Sequence, residues 1–134
     1  MPAGGSKRPP SIESVSNREH FIKQSGKSVF KRAVMDMANV CSELLERHGL
    51  SGSEIQLFVP HQANIRIINA AAERLNMPPE KVALNIQKYG NTTAATIPTA
   101  LLHAERAGQV KKGDLVLLAS FGAGFTWGAM LLKY

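Results

Sequence analysis

The spacing of apolar residues predicts three amphipathic helices. From Ser28 onward, apolar side chains recur at intervals of three and four residues, and Gly49 ends this first helix. A second helix with one apolar face is predicted over about residues 62–75, and a third over residues 93–107, closed by Gly108.

Short apolar runs between and after these helices predict strands. The predicted strands are 55–59, 82–86, 115–120 and 126–133, with a short extended segment at 19–23. Because only the glycine-containing loop 121–124 joins the last two strands, they are expected to be antiparallel. Alternating helices and strands therefore predict an α/β fold with a layered, mixed β-sheet covered by helices.

The chain divides into an arm and one domain. Residues 1–17 are rich in Pro, Gly and Ser and lack periodicity, so we predict an irregular N-terminal arm there. Residues 18–134 carry all the periodic segments. With 134 residues and 44% hydrophobic content, the chain has enough apolar surface for one packed core.

Composition excludes several classes of protein. No apolar run approaches the roughly 20 residues of a membrane helix, and the first residues lack the apolar stretch of a signal peptide. The single cysteine cannot form an internal disulfide, as is usual in a reducing compartment. We therefore expect a cytoplasmic protein that binds neither membrane nor metal.

The net charge of +6 raises the question of nucleic-acid binding. Basic pairs at Lys7-Arg8, Lys31-Arg32 and Lys111-Lys112 are separated by acidic and apolar residues, and the few aromatics do not alternate with basic ones. The sequence therefore predicts no nucleic-acid partner. A positive surface suits an acidic protein or a phosphate-bearing small molecule.

Two polar residues stand at places suited to chemistry. His61 follows the apolar run 55–59, and Asn91 follows Gly90. Both side chains are neutral hydrogen-bond donors that could converge on one substrate oxygen. Taken alone, His61 could equally be a structural histidine, Asn91 a turn residue, and the loop 122–124 a tight connection between strands.

Four motifs together resemble a known family. They are Pro60-His61-Gln62-Ala63-Asn64, the segment 89–98, Lys112-Gly113-Asp114 and the segment 121–128. In this order they closely resemble the C-terminal half of β-ketoacyl-acyl carrier protein synthase III, over about residues 20–134. The resemblance implies a thiolase-like fold of two similar α/β halves, in which residues 18–134 form the C-terminal domain and the N-terminal half is lacking.

The implied reaction initiates fatty-acid biosynthesis by decarboxylative condensation of acyl-coenzyme A with malonyl-acyl carrier protein. By resemblance, His61 and Asn91 are catalytic and donate to the malonyl thioester oxygen. An asparagine at position 91, rather than a second histidine, favours this initiating type. The backbone N–H of Ala123 would complete an oxyanion hole where many relatives have glycine, and alanine fits there if its φ is negative.

The resemblance also implies binding positions. Asn64 matches a residue near the pantetheine arm. Lys31, Arg66 and Arg74 match basic positions expected to meet acyl carrier protein or coenzyme A phosphates, although both arginines could simply form a solvated helix face. No cofactor is implied, since coenzyme A enters as a thioester substrate. A homodimer or a complementing N-terminal half is expected as partner.

The family's nucleophilic cysteine belongs to the other half of the fold, and the chain is expected to begin after the first strand of its own half. Cys41 lies on an apolar helix face and is interpreted as structural, as is Trp127, which we expect to pack in the core. The isolated chain is therefore expected to be inactive in full condensation. Three alternatives remain: a subunit of a split enzyme, a non-catalytic module that binds acyl carrier protein, or a truncated gene remnant.

Overall fold

Five helices and three strands make up the fold of residues 3–134. The computed structural model describes residues 3–134. The helices are α1 (Ile12–Ser16), α2 (Gly26–Arg47), α3 (Ile65–Arg74), α4 (Ile86–Tyr89) and α5 (Thr96–Arg106), with short 3-10 turns at Gly52–Glu54, Pro79–Lys81 and Thr93–Ala95. The strands are β1 (Leu57–Pro60), β2 (Leu115–Gly122) and β3 (Thr126–Lys133). Among residues 3–134, no helix is both long and apolar enough to cross a bilayer.

The sheet is mixed, with strand order β1-β2-β3. β1 and β2 run parallel, with Leu57 opposite Val116. β2 and β3 form an antiparallel hairpin that closes at Gly122 and Thr126. The predicted α/β class and mixed sheet are confirmed, and α2, α3 and α5 correspond to the three predicted helices.

Helices cover both faces of the sheet. Alternate strand residues point to opposite faces, so the core divides into two clusters. One cluster joins the sheet to α2 and α3 through Phe58, Leu117, Ala119, Met37, Cys41 and Ile68. The other joins it to α5 through Leu57, Val59, Val116, Ala100 and Ala104. Because β1 is buried on both faces, its sequence is an uninterrupted apolar run.

The strand predicted at 82–86 is wrong. Only Val82 pairs with a strand, in an isolated parallel bridge to Phe58. The ladder stops there because the backbone N–H of Asn85 donates to the side chain of Gln62, and not to a backbone carbonyl of a strand. The chain then turns directly into α4.

Residues 1 and 2 of the predicted irregular arm lie outside the described part of the chain, and its residues 3–17 contain one helix that the sequence analysis missed. A capping box begins α1, in which Ser11 and Ser14 each accept a hydrogen bond from the other's backbone N–H. Ser14 is buried, and its Oγ lies 2.8 Å from Nε2 of His20. The extended segment expected at 19–23 is instead turn and irregular chain.

Gln62 connects the end of β1 to the segment that leads to α4. Its side chain is fully buried. Nε2 donates to the carbonyl oxygens of Pro60 at 2.8 Å and Ala83 at 3.1 Å, and Oε1 accepts from the backbone N–H of Asn85 at 3.1 Å. One amide thus satisfies three backbone groups and fixes the distance between two chain segments.

We predict that Gln62→Ala lowers the free energy of unfolding by about 3 kcal/mol or more, because each buried polar group left without a partner costs about 1–3 kcal/mol. Urea denaturation followed by circular dichroism measures this. The matched control is Gln87→Ala, at an exposed position of α4, which is expected to change the value by less than about 0.5 kcal/mol. Equal midpoints for the two variants would contradict the prediction.

We also predict that the thiol of Cys41 is inert in the folded chain. Its side chain is fully buried in α2, and burial raises the pKa of this thiol to about 12. Since the thiolate is the reactive form, an aromatic disulfide reagent at pH 8 should label the native chain very slowly and the chain in guanidinium at once. Rapid labelling of the native chain would show that Cys41 is accessible.

Candidate active site

A cavity of about 590 Å³ is bordered by all three features that the sequence analysis singled out for chemistry. His61 borders it from the end of β1, Asn91 from the turn after α4, and the loop Gly122-Ala123-Gly124 from the β2–β3 hairpin. Apolar side chains form much of the remaining wall: Ile22, Val29, Ala33, Met37, Ile67, Phe121 and Phe125. The structure therefore brings together residues that are far apart in the sequence.

His61 is held by both its backbone and its ring. Its N–H donates to the carbonyl of Ala119 at 2.8 Å, which continues the parallel ladder one residue past β1. The ring Nδ1 pairs with Oγ1 of Thr96 at 2.5 Å. The side chain is half-buried, and this desolvation lowers the pKa of His61 below its ordinary value. The neutral form of the imidazole is therefore favoured.

Asn91 lies in a turn that depends on its neighbours. Gly90 has φ of +66°, a conformation that glycine adopts without steric cost. Oδ1 of Asn91 accepts from the backbone N–H of Thr93 at 3.0 Å, which leaves Nδ2 as the donor end of the amide. Thr93 has φ of +51°, which is strained for a β-branched residue and costs on the order of 1–3 kcal/mol.

The glycine loop accommodates an alanine at its centre. Among the described residues other than glycine, only Arg18, Asn76 and Thr93 have positive φ. Ala123 thus meets the condition set for it in the sequence analysis. Gly124 differs, since its φ is +147° and an added Cβ would lie 3.2 Å from the backbone nitrogen of Thr126.

Trp127 is not a core residue, and the prediction that it packs in the core is wrong. The side chain is 44% exposed. Its ring stacks on Phe121 with centroids 6.5 Å apart, and the guanidinium of Arg32 lies 5.6 Å from its centre. Trp127 thus forms part of an exposed aromatic surface beside the cavity.

The other predicted site residues lie outside the cavity. Asn64 is exposed and is the N-cap of α3, where its Oδ1 accepts from the N–H of Arg66 at 2.9 Å. Lys31, Arg66 and Arg74 are exposed on α2 and α3. Their binding roles stay predictions, as do the chemical roles of His61, Asn91 and Ala123.

Two residues that contact the site were missed in the sequence. Thr96 is buried and bonds to the ring of His61, and buried Gln62 fixes the segment that leads toward Asn91. Both lie inside the quoted motifs. In the sequence, each is only a polar residue among apolar ones. This pattern identifies a site residue only when the burial of the side chain is also known.

Comparisons with known proteins agree with this geometry. The profile of the family described as 3-oxoacyl-[acyl-carrier-protein (ACP)] synthase III C terminal matches residues 45–134. The β-ketoacyl-[acyl-carrier-protein] synthase III of Porphyromonas gingivalis is 53% identical over the whole chain, so the similarity includes the predicted arm, and the match covers 39% of that protein. The chain thus spans about two fifths of the length of this relative.

Solved structures give the same result. The 3-oxoacyl-[acyl-carrier-protein] synthase III of Aquifex aeolicus has a TM-score of 0.82 and 56% identity, covering 85% of this chain and 37% of its own. The corresponding Pseudomonas aeruginosa structure has a TM-score of 0.82 and 41% identity, covering 93% of this chain and 38% of its own. These similarities confirm the thiolase-like α/β fold. The chain belongs to the β-ketoacyl-[acyl-carrier-protein] synthase III family and matches the C-terminal part of its members.

Proposed function

We propose that this chain is the C-terminal catalytic half of a β-ketoacyl-acyl carrier protein synthase III, which condenses acyl-coenzyme A with malonyl-acyl carrier protein. The observation that carries the proposal is the shared cavity. His61, Asn91 and the loop Gly122-Ala123-Gly124 border the same space. This set can stabilise a developing enolate and, separately, a tetrahedral oxyanion.

In the proposed step, Nε2 of His61 and Nδ2 of Asn91 donate to the thioester oxygen of the malonyl group. The bond between the malonyl α-carbon and its carboxylate breaks, carbon dioxide leaves, and the electron pair becomes the enolate. The enolate carbon then attacks the acyl thioester on the nucleophilic cysteine of the N-terminal half. The backbone N–H of Ala123 stabilises the oxyanion that forms on this acyl group. When the oxyanion collapses, the bond from the acyl carbon to the cysteine sulfur breaks, the cysteine leaves as a thiolate and the ketoacyl thioester is released.

Neutral donors suit this chemistry. Loss of carbon dioxide generates the carbanion directly, so no base is needed to remove a carbon-bound proton. Burial lowers the pKa of His61, which favours the uncharged ring. The amide oxygen of Asn91 accepts from the N–H of Thr93, so the NH₂ group of the amide is left to donate to substrate. Both side chains are thus prepared to donate.

Exposed apolar side chains support an N-terminal half as partner. Phe125 and Trp127 are 43% and 44% exposed, and Phe21 and Ile22 are 57% and 79% exposed. Phe125 and Ile22 also border the cavity. Apolar surface concentrated beside a site marks a docking surface. An N-terminal half would cover this surface and exclude water from the cavity. The partner would be a separate, complementing N-terminal half, or the chain would be part of a homodimer.

Charge supports acyl carrier protein and acyl-coenzyme A as the other partners. The net charge is +6, and Lys31, Arg66 and Arg74 are exposed. An acidic carrier protein and a phosphate-bearing thioester are both attracted to such a surface. The proposal places this reaction in the cytoplasm.

We predict that the purified chain alone forms no ketoacyl product, and that adding the N-terminal half of the Aquifex aeolicus synthase restores condensation. His61→Ala or Asn91→Ala should then lower kcat by about 100- to 1000-fold, because each removes one donor to the enolate oxygen. Product is measured from labelled malonyl-acyl carrier protein, and complex formation by analytical ultracentrifugation. The matched controls are His48→Ala and Asn39→Ala, at exposed positions of the chain away from the cavity lining.

Each result of the complementation assay has a definite meaning. Product from the chain alone would disprove the dependence on a second half. A stoichiometric complex without product, or full activity in His61→Ala, would disprove the catalytic assignment. A chain that is disordered by circular dichroism with and without the added half would identify it as a gene remnant.

We predict that Arg66→Glu weakens binding of acyl carrier protein by about 5- to 10-fold at low salt, with a smaller difference at high salt. A glutamate near the N-terminus of α3 interacts favourably with the helix dipole, so the variant should remain folded. Arg47→Glu, at an exposed position in α2, is the control. Calorimetry of the chain with apo-carrier protein measures both, and equal effects of the two variants would contradict a role for Arg66.

A further inference from the structure

We propose that Thr96 is a positioning residue that sets the tautomer of His61, so that the ring proton is on Nε2 and faces substrate. The proposal rests on the function proposed above, in which His61 must donate a hydrogen bond. It adds the requirement that a particular ring nitrogen carries the proton, which neither the sequence motif nor the cavity lining specifies. A neutral imidazole has one N–H, and only one of its two tautomers can donate into the cavity.

The contact joins two separate elements. His61 follows β1, whereas Thr96 is the first residue of α5, and the two are 35 positions apart. The Thr96 side chain is buried, and its Oγ1 lies 2.5 Å from Nδ1 of His61. A hydroxyl can donate or accept, so the direction of this bond determines where the imidazole proton is.

Two acceptors compete for the single proton of the Thr96 hydroxyl. The carbonyl oxygen of Thr93 lies 3.0 Å from Oγ1, and the hydroxyl is also placed to donate its proton to this oxygen. That carbonyl already accepts from the backbone N–H of Thr96, so it does not need the hydroxyl proton. Nδ1 of His61 is the closer acceptor, at 2.5 Å from Oγ1, compared with 3.0 Å for the carbonyl oxygen. The proposal assigns the hydroxyl proton to Nδ1, because only this direction leaves the imidazole proton on Nε2, where the proposed function requires it.

The opposite arrangement is chemically distinct. If Nδ1–H donated to Oγ1 and the hydroxyl donated to the Thr93 carbonyl, Nε2 would present a lone pair to the cavity. His61 would then accept a proton from substrate, as a base does, and could not stabilise an enolate oxygen. The direction of one hydrogen bond thus separates two kinds of catalysis.

Nitrogen NMR of the chain labelled with ¹⁵N-histidine tests the proposal directly. Long-range proton–nitrogen correlation identifies the ring nitrogen without a proton, which resonates far downfield of the protonated one. His61 is assigned as the pattern lost in His61→Ala, among the four histidines of the chain. The comparison set is wild type, Thr96→Ser, which keeps the hydroxyl, and Thr96→Val, which replaces it with a methyl group of similar shape.

We expect Nδ1 to be the unprotonated nitrogen in wild type and Thr96→Ser, and the two tautomers to mix in Thr96→Val. In the complemented enzyme, Thr96→Val should lower kcat up to about 100-fold with little change in KM, and Thr96→Ser should restore most of the rate. A wild-type ring protonated on Nδ1, or an unchanged tautomer in Thr96→Val, would overturn the proposal. If Thr96→Val does not fold, the wild-type and Thr96→Ser spectra still decide.

The NMR result does not depend on activity. A protonated Nε2 without condensation in the complemented enzyme would leave the role of Thr96 intact and disprove the proposed function. Condensation with a ring protonated on Nδ1 would do the reverse. The two proposals can thus fail separately.

Discussion

The parallel pairing of β1 with β2 is the constraint on which the site depends. Parallel strands run toward the same edge of a sheet, so the residue just after β1 lies beside the last residues of β2. The N–H of His61 extends this ladder by bonding to Ala119, and β2 continues into the glycine loop. A donor side chain and a backbone turn therefore become neighbours through backbone geometry alone. Helices on both faces of the sheet shield the paired strands from water.

The segment from Thr93 to Thr96 orients the hydrogen-bonding groups of Asn91 and His61. It bonds to the acceptor atom of Asn91 through the N–H of Thr93, and to Nδ1 of His61 through Oγ1 of Thr96. Both anchors come from one turn, so the two polar groups cannot shift independently. The strained φ of Thr93 is consistent with a turn whose conformation is set by these contacts and not by its own preference.

Sequence reasoning predicted the features that depend on local pattern. Apolar spacing indicated α2, α3, α5 and the last two strands, and the motifs indicated the residues that meet at the cavity. It failed where side chains replace backbone partners. Gln62 takes the place of a strand at Asn85, and serine side chains start α1, so periodicity gives no sign of either. Trp127 was misjudged because a strand side chain is buried only where another element covers that face, and residue type alone does not give this coverage.

The position of β3 also affects how the chain behaves in solution. In the three-stranded sheet it pairs with β2 alone, so its outer backbone N–H and C=O groups form an open edge along the described chain. An edge of this kind is a template on which another copy can add as a strand, and Lys133 is the only charged residue in β3 that opposes this. Self-association of the isolated chain would therefore grow with concentration and compete directly with assembly into an enzyme.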